Sequence, residues 1–247
     1  NYEYVAAIIK PNDPQYIIVL GTTYSGAGAV FDYLNGREDL YDPLFGQEYV
    51  LPILPNGLMT LEALADRAFD PSTTEHALIE FEKIVKNLMN YWSRRKDVRL
   101  NKKLPLFKDA LQEFINDISL VDFPMRLLWR ELKQSPTQRV LDKFKNRLGF
   151  KKKVSKTRLI VPQKDFVIAA QKMHNKMFQL SAAGRPILLN QGGSGWNPIE
   201  STKYFSNCKI ALVIRDPRDQ FAEIKYYKKA TSVRGFIDWY REMKRRL

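Results

Sequence analysis

The first apolar run of the chain, residues 16–20 (YIIVL), has the length and β-branched composition of a buried parallel strand, and it ends at Gly21. Residues 26–34 then repeat with the period of a helix, and Asn35 followed by Gly36 is typical of a helix end. The pattern therefore predicts a strand, a glycine-containing loop and a helix in succession.

Two further apolar runs, residues 187–189 (ILL) and 209–214 (KIALVI), also have the length of strands. Each is followed by a polar loop and then by a segment compatible with a helix. Strands that alternate with helices favour a parallel sheet with helices on both faces. We therefore predict an α/β fold with three layers, a parallel sheet and a strand-loop-helix unit like that of P-loop proteins.

The stretch between the first and second runs is predominantly helical in its periodicity. No strand is evident between residues 58 and 148, and residues 72–75 (STTE) have the form of a capping box ahead of an amphipathic run. A further helix is predicted over residues 164–183. With no long linker or internal repeat, we predict one domain over residues 1–247 that carries a helical insertion at about 58–183.

Composition excludes several classes of protein. The 45% share of hydrophobic residues is typical of a globular chain, and no apolar run approaches the roughly 20 residues that a membrane span needs. The single cysteine, Cys208, excludes an internal disulfide and a cysteine-based zinc cluster, and it favours the reducing cytoplasm. The two histidines, His76 and His174, are predicted to be structural or exposed.

Charge points to anionic partners. The formal net charge is +13, and residues 139–158 hold nine basic side chains against one acidic side chain. This basic run is either a solvated helix face or a surface that contacts an anionic membrane or an acidic acceptor. Nucleic acid is disfavoured, because no zinc finger or helix-turn-helix pattern accompanies the charge. Because the sequence begins at Asn1 and stops at Leu247 inside a helix-like stretch, we expect both ends to be trimmed.

The loop after the first strand has the setting of a phosphate-binding loop. Residues 21–28 (GTTYSGAG) follow a strand and open a helix, so their backbone N–H groups and the helix dipole converge on one point. Ala27 and Gly28 replace the lysine and the magnesium-binding hydroxyl of a nucleoside-triphosphate loop, which disfavours an ATPase or kinase. A dinucleotide site is disfavoured because a third glycine is missing. A tight turn without a ligand is the alternative.

A second motif, Arg215-Asp216-Pro217-Arg218-Asp219, follows the third apolar run and opens a helix with proline in its first turn. An arginine that leaves a strand end can clamp a phosphate group, although the motif alone is also compatible with a salt-bridged helix start. Together, the two motifs resemble those of sulfotransferases that use 3′-phosphoadenosine 5′-phosphosulfate (PAPS), particularly the bacterial enzymes that modify carbohydrates.

The resemblance covers residues 16–241 and implies an enzyme that moves a sulfuryl group from PAPS to a hydroxyl of a carbohydrate or another small acceptor, without a metal. It implies Glu48 as the base that deprotonates the acceptor. Gln191 and Ser194 lie in a polar, glycine-rich loop at a strand end, where an open α/β sheet places ligands, so we expect them to contact the acceptor or the nucleotide. The residues implied to bind PAPS lie in the two motifs: Thr22, Thr23, Tyr24, Ser25, Gly26, Ala27, Gly28, Arg215 and Glu223.

Two residues depart from the pattern of that family. Tyr24 stands where many members have a lysine or arginine, so the charge that neutralises the leaving group has to come from elsewhere. Glu223 stands where the family has a serine that binds the 3′-phosphate, and its repulsion requires compensation by Arg215, Arg218 or Lys225. Two alternatives stay open: a polyanion-binding module without catalysis, and a phosphoryl transferase like the P-loop kinases.

Trp196 and the aromatic C-terminal stretch have ordinary structural interpretations. Trp196 lies in a glycine-rich loop, residues 190–196, and is predicted to pack onto its neighbours. Residues 236–246 predict an amphipathic helix whose apolar face packs onto the sheet.

Overall fold

The computed structural model describes residues 14–66, 70–90, 92–93, 96–97, 99–124, 135–148, 156–161, 163–179 and 184–245. Three parallel strands form its central sheet, with β1 (Tyr16–Gly21) between β6 (Ile187–Asn190) and β7 (Cys208–Val213). These strands coincide with the three apolar runs, so the predicted α/β class and the parallel sheet are confirmed.

The described residues include ten helices, which occupy the segments between and after the strands. Their bounds are α1 (Ala27–Asn35), α2 (Leu58–Asp66), α3 (Pro71–Asn90), α4 (Leu100–Lys103), α5 (Phe107–Ile118), α6 (Pro136–Arg147), α7 (Gln163–Phe178), α8 (Pro198–Thr202), α9 (Pro217–Tyr226) and α10 (Val233–Arg245). Helices α2 to α7 lie in the predicted insertion, and α7 ends five residues before the predicted residue 183.

Successive residues of β1 pack into different apolar clusters, as the alternation of side chains along a strand requires. Ile18 and Leu20 belong to a large cluster that includes side chains of α2, α3, α5 and α7. Val19 instead packs against Ala27 and Phe31 of α1. The sheet therefore contributes apolar side chains to one cluster with α1 and to another with α2, α3, α5 and α7.

A further segment runs parallel to β6 without forming a continuous strand. Tyr41 bridges to Ile187 at the start of β6, and Glu48 bridges to Asn190 at its end. Between the two bridges the segment is longer than the facing part of β6 and so departs from it, and the ammonium group of Lys103 in α4 donates to the carbonyl of Leu44 at 2.6 Å. This part of the segment is thus fastened to α4.

The expectation that no strand occurs between residues 58 and 148 is wrong. Strand β4 (Ser119–Pro124) pairs antiparallel with β5 (Lys156–Ile160), and β2 (Trp92–Ser93) pairs with β3 (Lys96–Asp97). β4 and β5 are separated by more than 30 residues, so no local turn signal announces the pair. The first three residues of β5 also belong to the basic run, where charged residues obscure the alternation of a strand.

The prediction of a capping box at residues 72–75 is also wrong. Helix α3 begins at Pro71, and the carboxylate of Asp70 accepts hydrogen bonds from the backbone N–H groups of Ser72 at 2.8 Å and Thr73 at 3.2 Å. An aspartate directly before a proline at the first helical position is a favourable helix start, because proline has no N–H group to satisfy there.

The prediction that the C-terminal helix, α10, packs its apolar face onto the sheet is wrong. All thirteen of its residues are described, and none of them is buried. Its aromatic side chains meet other aromatic residues instead: Phe236 contacts Phe221 of α9, and Trp239 and Tyr240 contact Trp196. The prediction that Trp196 packs onto its neighbours is confirmed.

The basic run is only partly described. Its α6 portion presents Val140, Leu141 and Phe144 to solvent together with exposed Lys143 and Arg147, while residues 149–155 lie outside the described residues. Within the described ranges, no helix combines the length and the apolar character that crossing a membrane requires.

Candidate functional site

The predicted phosphate-binding loop connects β1 to α1 and leaves the start of the helix uncapped by side chains. Gly26 is the N-cap residue, with a left-handed φ of 87°, and it provides no side-chain hydrogen bond to the helix. The first turn of α1 contains no acidic residue. Because the first amides of a helix have no carbonyl partner one turn earlier, the N-terminus of α1 is a favourable position for an anion.

The hydroxyl of Ser25 is buried inside this loop. Ser25 is only 4% exposed, and its Oγ has no hydrogen-bond partner among the described residues. A turn in which the N–H group of Ser25 donates to the carbonyl of Thr22 at 2.9 Å holds the side chain in place. A buried hydroxyl without a partner carries a desolvation cost, which a bound anion at the loop would relieve.

Close backbone packing holds the base of the loop. A Cβ atom on Gly21 would lie 2.1 Å from the Oγ of Ser25, and a Cβ on Gly195 would lie 2.3 Å from the carbonyl carbon of Gly21. Only glycine fits at either position without a backbone shift. The glycine-rich loop after β6 is therefore packed directly against the end of β1.

Arg215 joins the second motif to this loop. Its Nη1 donates to the backbone carbonyl of Tyr24 at 3.4 Å and also to the carboxylate of Glu223. The buried side chain of Gln220 donates from Nε2 to the carbonyl of Arg215 at 3.1 Å, which fixes the backbone at the strand end. The structure thus brings together the two motifs that the sequence paired.

The rest of the second motif forms a salt-bridged helix start. Asp216 is the N-cap of α9, and its carboxylate accepts from the N–H group of Arg218 at 2.8 Å and from the Arg218 guanidinium. The hydrogen bonds from the Arg218 side chain lower the pKa of Asp216 to about 2. Arg218 is therefore engaged with Asp216, and Arg215 is the arginine that faces the loop.

The side chain of Tyr24 connects the loop to the residues that follow α9. It has a left-handed φ of 59°, and its ring stacks on that of Tyr227 with centroids 5.7 Å apart. The ammonium group of Lys229 lies 5.1 Å from the centre of the Tyr24 ring. A hydrogen bond with the Tyr24 side chain raises the pKa of Lys229.

The sequence reasoning missed Tyr227, Lys229 and Gln220. All three follow Arg215 within fifteen residues, in or just after α9. The only available signal was the run Tyr226-Tyr227-Lys228-Lys229, where aromatic and cationic side chains adjoin at a helix end.

Glu48 is exposed beside the carboxyl end of β6. It bridges to Asn190, and the N–H group of the next residue, Tyr49, donates to the carbonyl of Asn190 at 2.8 Å. Because β6 and β1 are parallel neighbours, Glu48 lies on the same edge of the sheet as the loop that holds Ser25. An exposed carboxylate at that edge can accept a proton from a substrate.

Gln191 and Ser194 hold the loop after β6 together. The Oε1 of Gln191 accepts from the N–H group of Gly21 at 3.4 Å, and the Oγ of Ser194 accepts from the N–H group of Trp196 at 3.2 Å. Gln191 adopts a left-handed φ of 52°. Both predicted contact residues therefore lie at the strand ends, where their side chains bond to the backbone of the protein.

His174 is structural, as predicted. It is fully buried, its Nε2 lies 2.9 Å from the hydroxyl of Tyr49, and its Nδ1 lies 2.9 Å from the carbonyl of Tyr204. Burial lowers the pKa of His174 to about 4, and burial also raises the pKa of Tyr49. This neutral pair anchors the backbone next to Glu48.

An open cleft of about 400 Å³ lies elsewhere, at the far end of α1. Tyr41, Phe45 and Arg185 are among its nine lining residues, and none of the predicted site residues lines it. The chemistry predicted from the sequence therefore has no connection with this cleft.

Comparison with models of protein families, with curated proteins and with solved structures found no match for this chain.

Proposed function

We propose that the chain is a PAPS-dependent sulfotransferase that transfers a sulfuryl group to a hydroxyl of a carbohydrate or another small acceptor. One contact carries the proposal: Arg215 of the second motif donates to the backbone carbonyl of Tyr24 in the first. Two anion-binding motifs in contact suit a nucleotide with phosphate groups at two positions.

The loop after β1 suits the 5′-phosphosulfate. The buried hydroxyl of Ser25 lacks a partner among the described residues, and the amides that open α1 face no acidic side chain in the first turn. In this proposal the phosphate oxygens accept hydrogen bonds from the backbone N–H groups of the loop residues Thr22, Thr23, Tyr24, Gly26, Ala27 and Gly28. Such donors stabilise negative charge on phosphate oxygens at little cost in reorganisation.

Arg215 is the residue that binds the 3′-phosphate in this proposal. A guanidinium group pairs with phosphate through two parallel hydrogen bonds, and this one is about one-third exposed at a strand end. Glu223 already occupies part of that guanidinium, so a phosphate has to displace or share its carboxylate.

Glu48 is the base. It takes the proton of the acceptor hydroxyl as the acceptor oxygen bonds to sulfur, and the bond between sulfur and the 5′-phosphate oxygen breaks with its electron pair on that oxygen. The amides at the start of α1 stabilise the charge that the leaving phosphate gains.

We also propose that the fold is P-loop-like with three layers and that the protein is cytoplasmic. β1, its loop and α1 form the strand-loop-helix unit of a P-loop-like fold, and apolar clusters with helices on either side of β1 support three layers. A single cysteine is consistent with a reducing cytoplasmic compartment.

The test is calorimetric titration with 3′,5′-adenosine bisphosphate, the desulfated product, with and without Mg²⁺. We expect metal-independent binding that Arg215→Ala abolishes, while the matched variant Arg218→Ala retains it because Arg218 pairs with Asp216. Release of the bisphosphate from PAPS in the presence of a panel of sugars, lost in Glu48→Gln, then identifies the acceptor. Absence of binding by the folded native chain overturns the proposal.

A polyanion-binding module without catalysis is the second candidate. The ion pair between Arg215 and Glu223 favours this second candidate, because the carboxylate neutralises the guanidinium group that would bind the 3′-phosphate of a nucleotide. Tight, salt-sensitive binding of heparin by a chain that binds no bisphosphate would support this candidate. Binding that requires Mg²⁺ and a nucleoside triphosphate would instead support a phosphoryl transferase.

A further inference from the structure

The predicted phosphate-binding loop, residues 21–28, is called the anion loop below, and it contains neither lysine nor arginine. Arg215 at its edge is bonded to Glu223. Backbone amides and hydroxyls can bind a phosphate or sulfate group, but they do not neutralise its charge. A site of this kind gains affinity from a nearby ammonium or guanidinium group.

The chain after α9 brings a lysine to this loop. The helix ends at Tyr226, and Lys228 adopts a left-handed φ of 56°. The N–H group of Lys228 donates to the carbonyl of Lys225 at 2.9 Å, and that of Lys229 donates to the carbonyl of Ile224 at 3.0 Å. These two bonds fix the turn and therefore the point from which the Lys229 side chain extends.

Tyr24 holds the end of that side chain. The Lys229 ammonium group lies 5.1 Å from the centre of the Tyr24 ring, and Tyr227 stacks on the same ring at an interplanar angle of 24°. Contact with an aromatic ring orients the ammonium group without removing its charge. Tyr24 is itself a loop residue, so the ammonium group lies beside the loop.

We propose that Lys229 is the cation of the anion loop and that Tyr24 positions it against the phosphate or sulfate group that the loop binds. Lys229 and Tyr24, from different segments of the chain, then together take the place of a lysine located within the loop itself. The inference rests on the proposed function to the extent that the loop binds an anion. It adds a residue outside both sequence motifs.

The experiment measures the dissociation constants of inorganic pyrophosphate and of 3′,5′-adenosine bisphosphate for the native chain and for Lys229→Met, with Lys228→Met as the matched control. We expect Lys229→Met to weaken both ligands about tenfold and to reduce the dependence of affinity on salt. Lys228→Met removes the same charge from the neighbouring position and should change affinity less than about twofold.

Two further variants separate charge from packing. Lys229→Arg should retain affinity, and Tyr24→Lys in the Lys229→Met background should restore it by placing a cation in the loop itself. Equal affinities for Lys229→Met and Lys228→Met overturn the inference while leaving the proposed function intact. A native chain that binds neither ligand overturns the proposed function and the inference together.

Discussion

The guanidinium group of Arg215 is bonded to the carboxylate of Glu223, which lies eight residues further along the chain on α9. Both side chains are about one-third exposed. The pair orients Arg215, and it also places a negative charge next to the group that would receive a phosphate. The strength of nucleotide binding should therefore depend on Glu223.

Glu223→Gln should tighten the binding of 3′,5′-adenosine bisphosphate about two- to fivefold, because the repulsive charge disappears while a hydrogen-bond acceptor for Arg215 remains. Calorimetric titration provides the measurement. Glu113→Gln, which breaks a similar ion pair with Lys176 on α5 and α7, should leave the affinity unchanged. Weaker binding by Glu223→Gln would mean that the carboxylate helps the site.

Ser25→Ala should leave the free energy of unfolding unchanged or raise it by about 1 kcal/mol, because the lost hydroxyl has no partner among the described residues. The same variant should bind the bisphosphate about tenfold more weakly. Ser201→Ala is the contrast: its hydroxyl accepts from the N–H group of Ser194, so its loss should cost about 1–3 kcal/mol. Urea unfolding that shows equal losses in both variants would make Ser25 a structural residue.

Gly195→Ala should lower the free energy of unfolding by about 1–3 kcal/mol, because the added Cβ meets the backbone of Gly21. Gly28→Ala adds the same methyl group where no atom lies within 4 Å, in a helix, and should raise stability by about 0.5–1 kcal/mol. Urea midpoints compare the two. A Gly195→Ala variant as stable as the native chain would refute the close approach of the two loops.

Stability should fall below neutral pH because of His174. Burial holds its pKa near 4, below its ordinary value of 6.5, so the unfolded chain binds a proton in the interval where the folded chain does not. The contribution, on the order of 3 kcal/mol, is complete above pH 6.5 and is lost as pH falls toward 4.

Urea unfolding at several pH values measures this slope. His76→Gln should retain it, since His76 is partly exposed, whereas His174→Gln should flatten it. If His174→Gln fails to fold, titration of the His174 ring by nuclear magnetic resonance in the native chain is decisive. A titration midpoint near 6.5 would contradict the prediction.

The strand-loop-helix unit could be predicted because it is local. Residues 16–35 carry their own apolar period, glycine punctuation and helix end, and β1 and α1 appear where those signals place them. The paired strands β4 and β5 could not be predicted in this way, since their partners are distant in the chain and the polar sequence of β5 conceals its alternation.

The site was predictable to a similar degree. The contact between Arg215 and Tyr24 follows from two strands that end at one edge of a parallel sheet, which the sequence already implied. The approach of Lys229 to Tyr24 depends on the length of α9 and on the left-handed turn at Lys228, and neither is encoded in a motif. Glu48 was located by resemblance, and its position beside Asn190 depends on a bridge rather than a strand.

The segment that carries Glu48 is fastened on one side by Lys103 and on the other by the buried contact between Tyr49 and His174. These two contacts come from helices α4 and α7, and the bridge between Glu48 and Asn190 adds a third support from β6. The sheet therefore supports both the proposed base and the anion loop, while α4 and α7 add contacts to the segment of the base. Under the proposed function, substitutions at these contacts in α4 and α7 would shift the carboxylate of Glu48 more than the anion loop, so acceptor choice could change with little effect on the affinity for the donor.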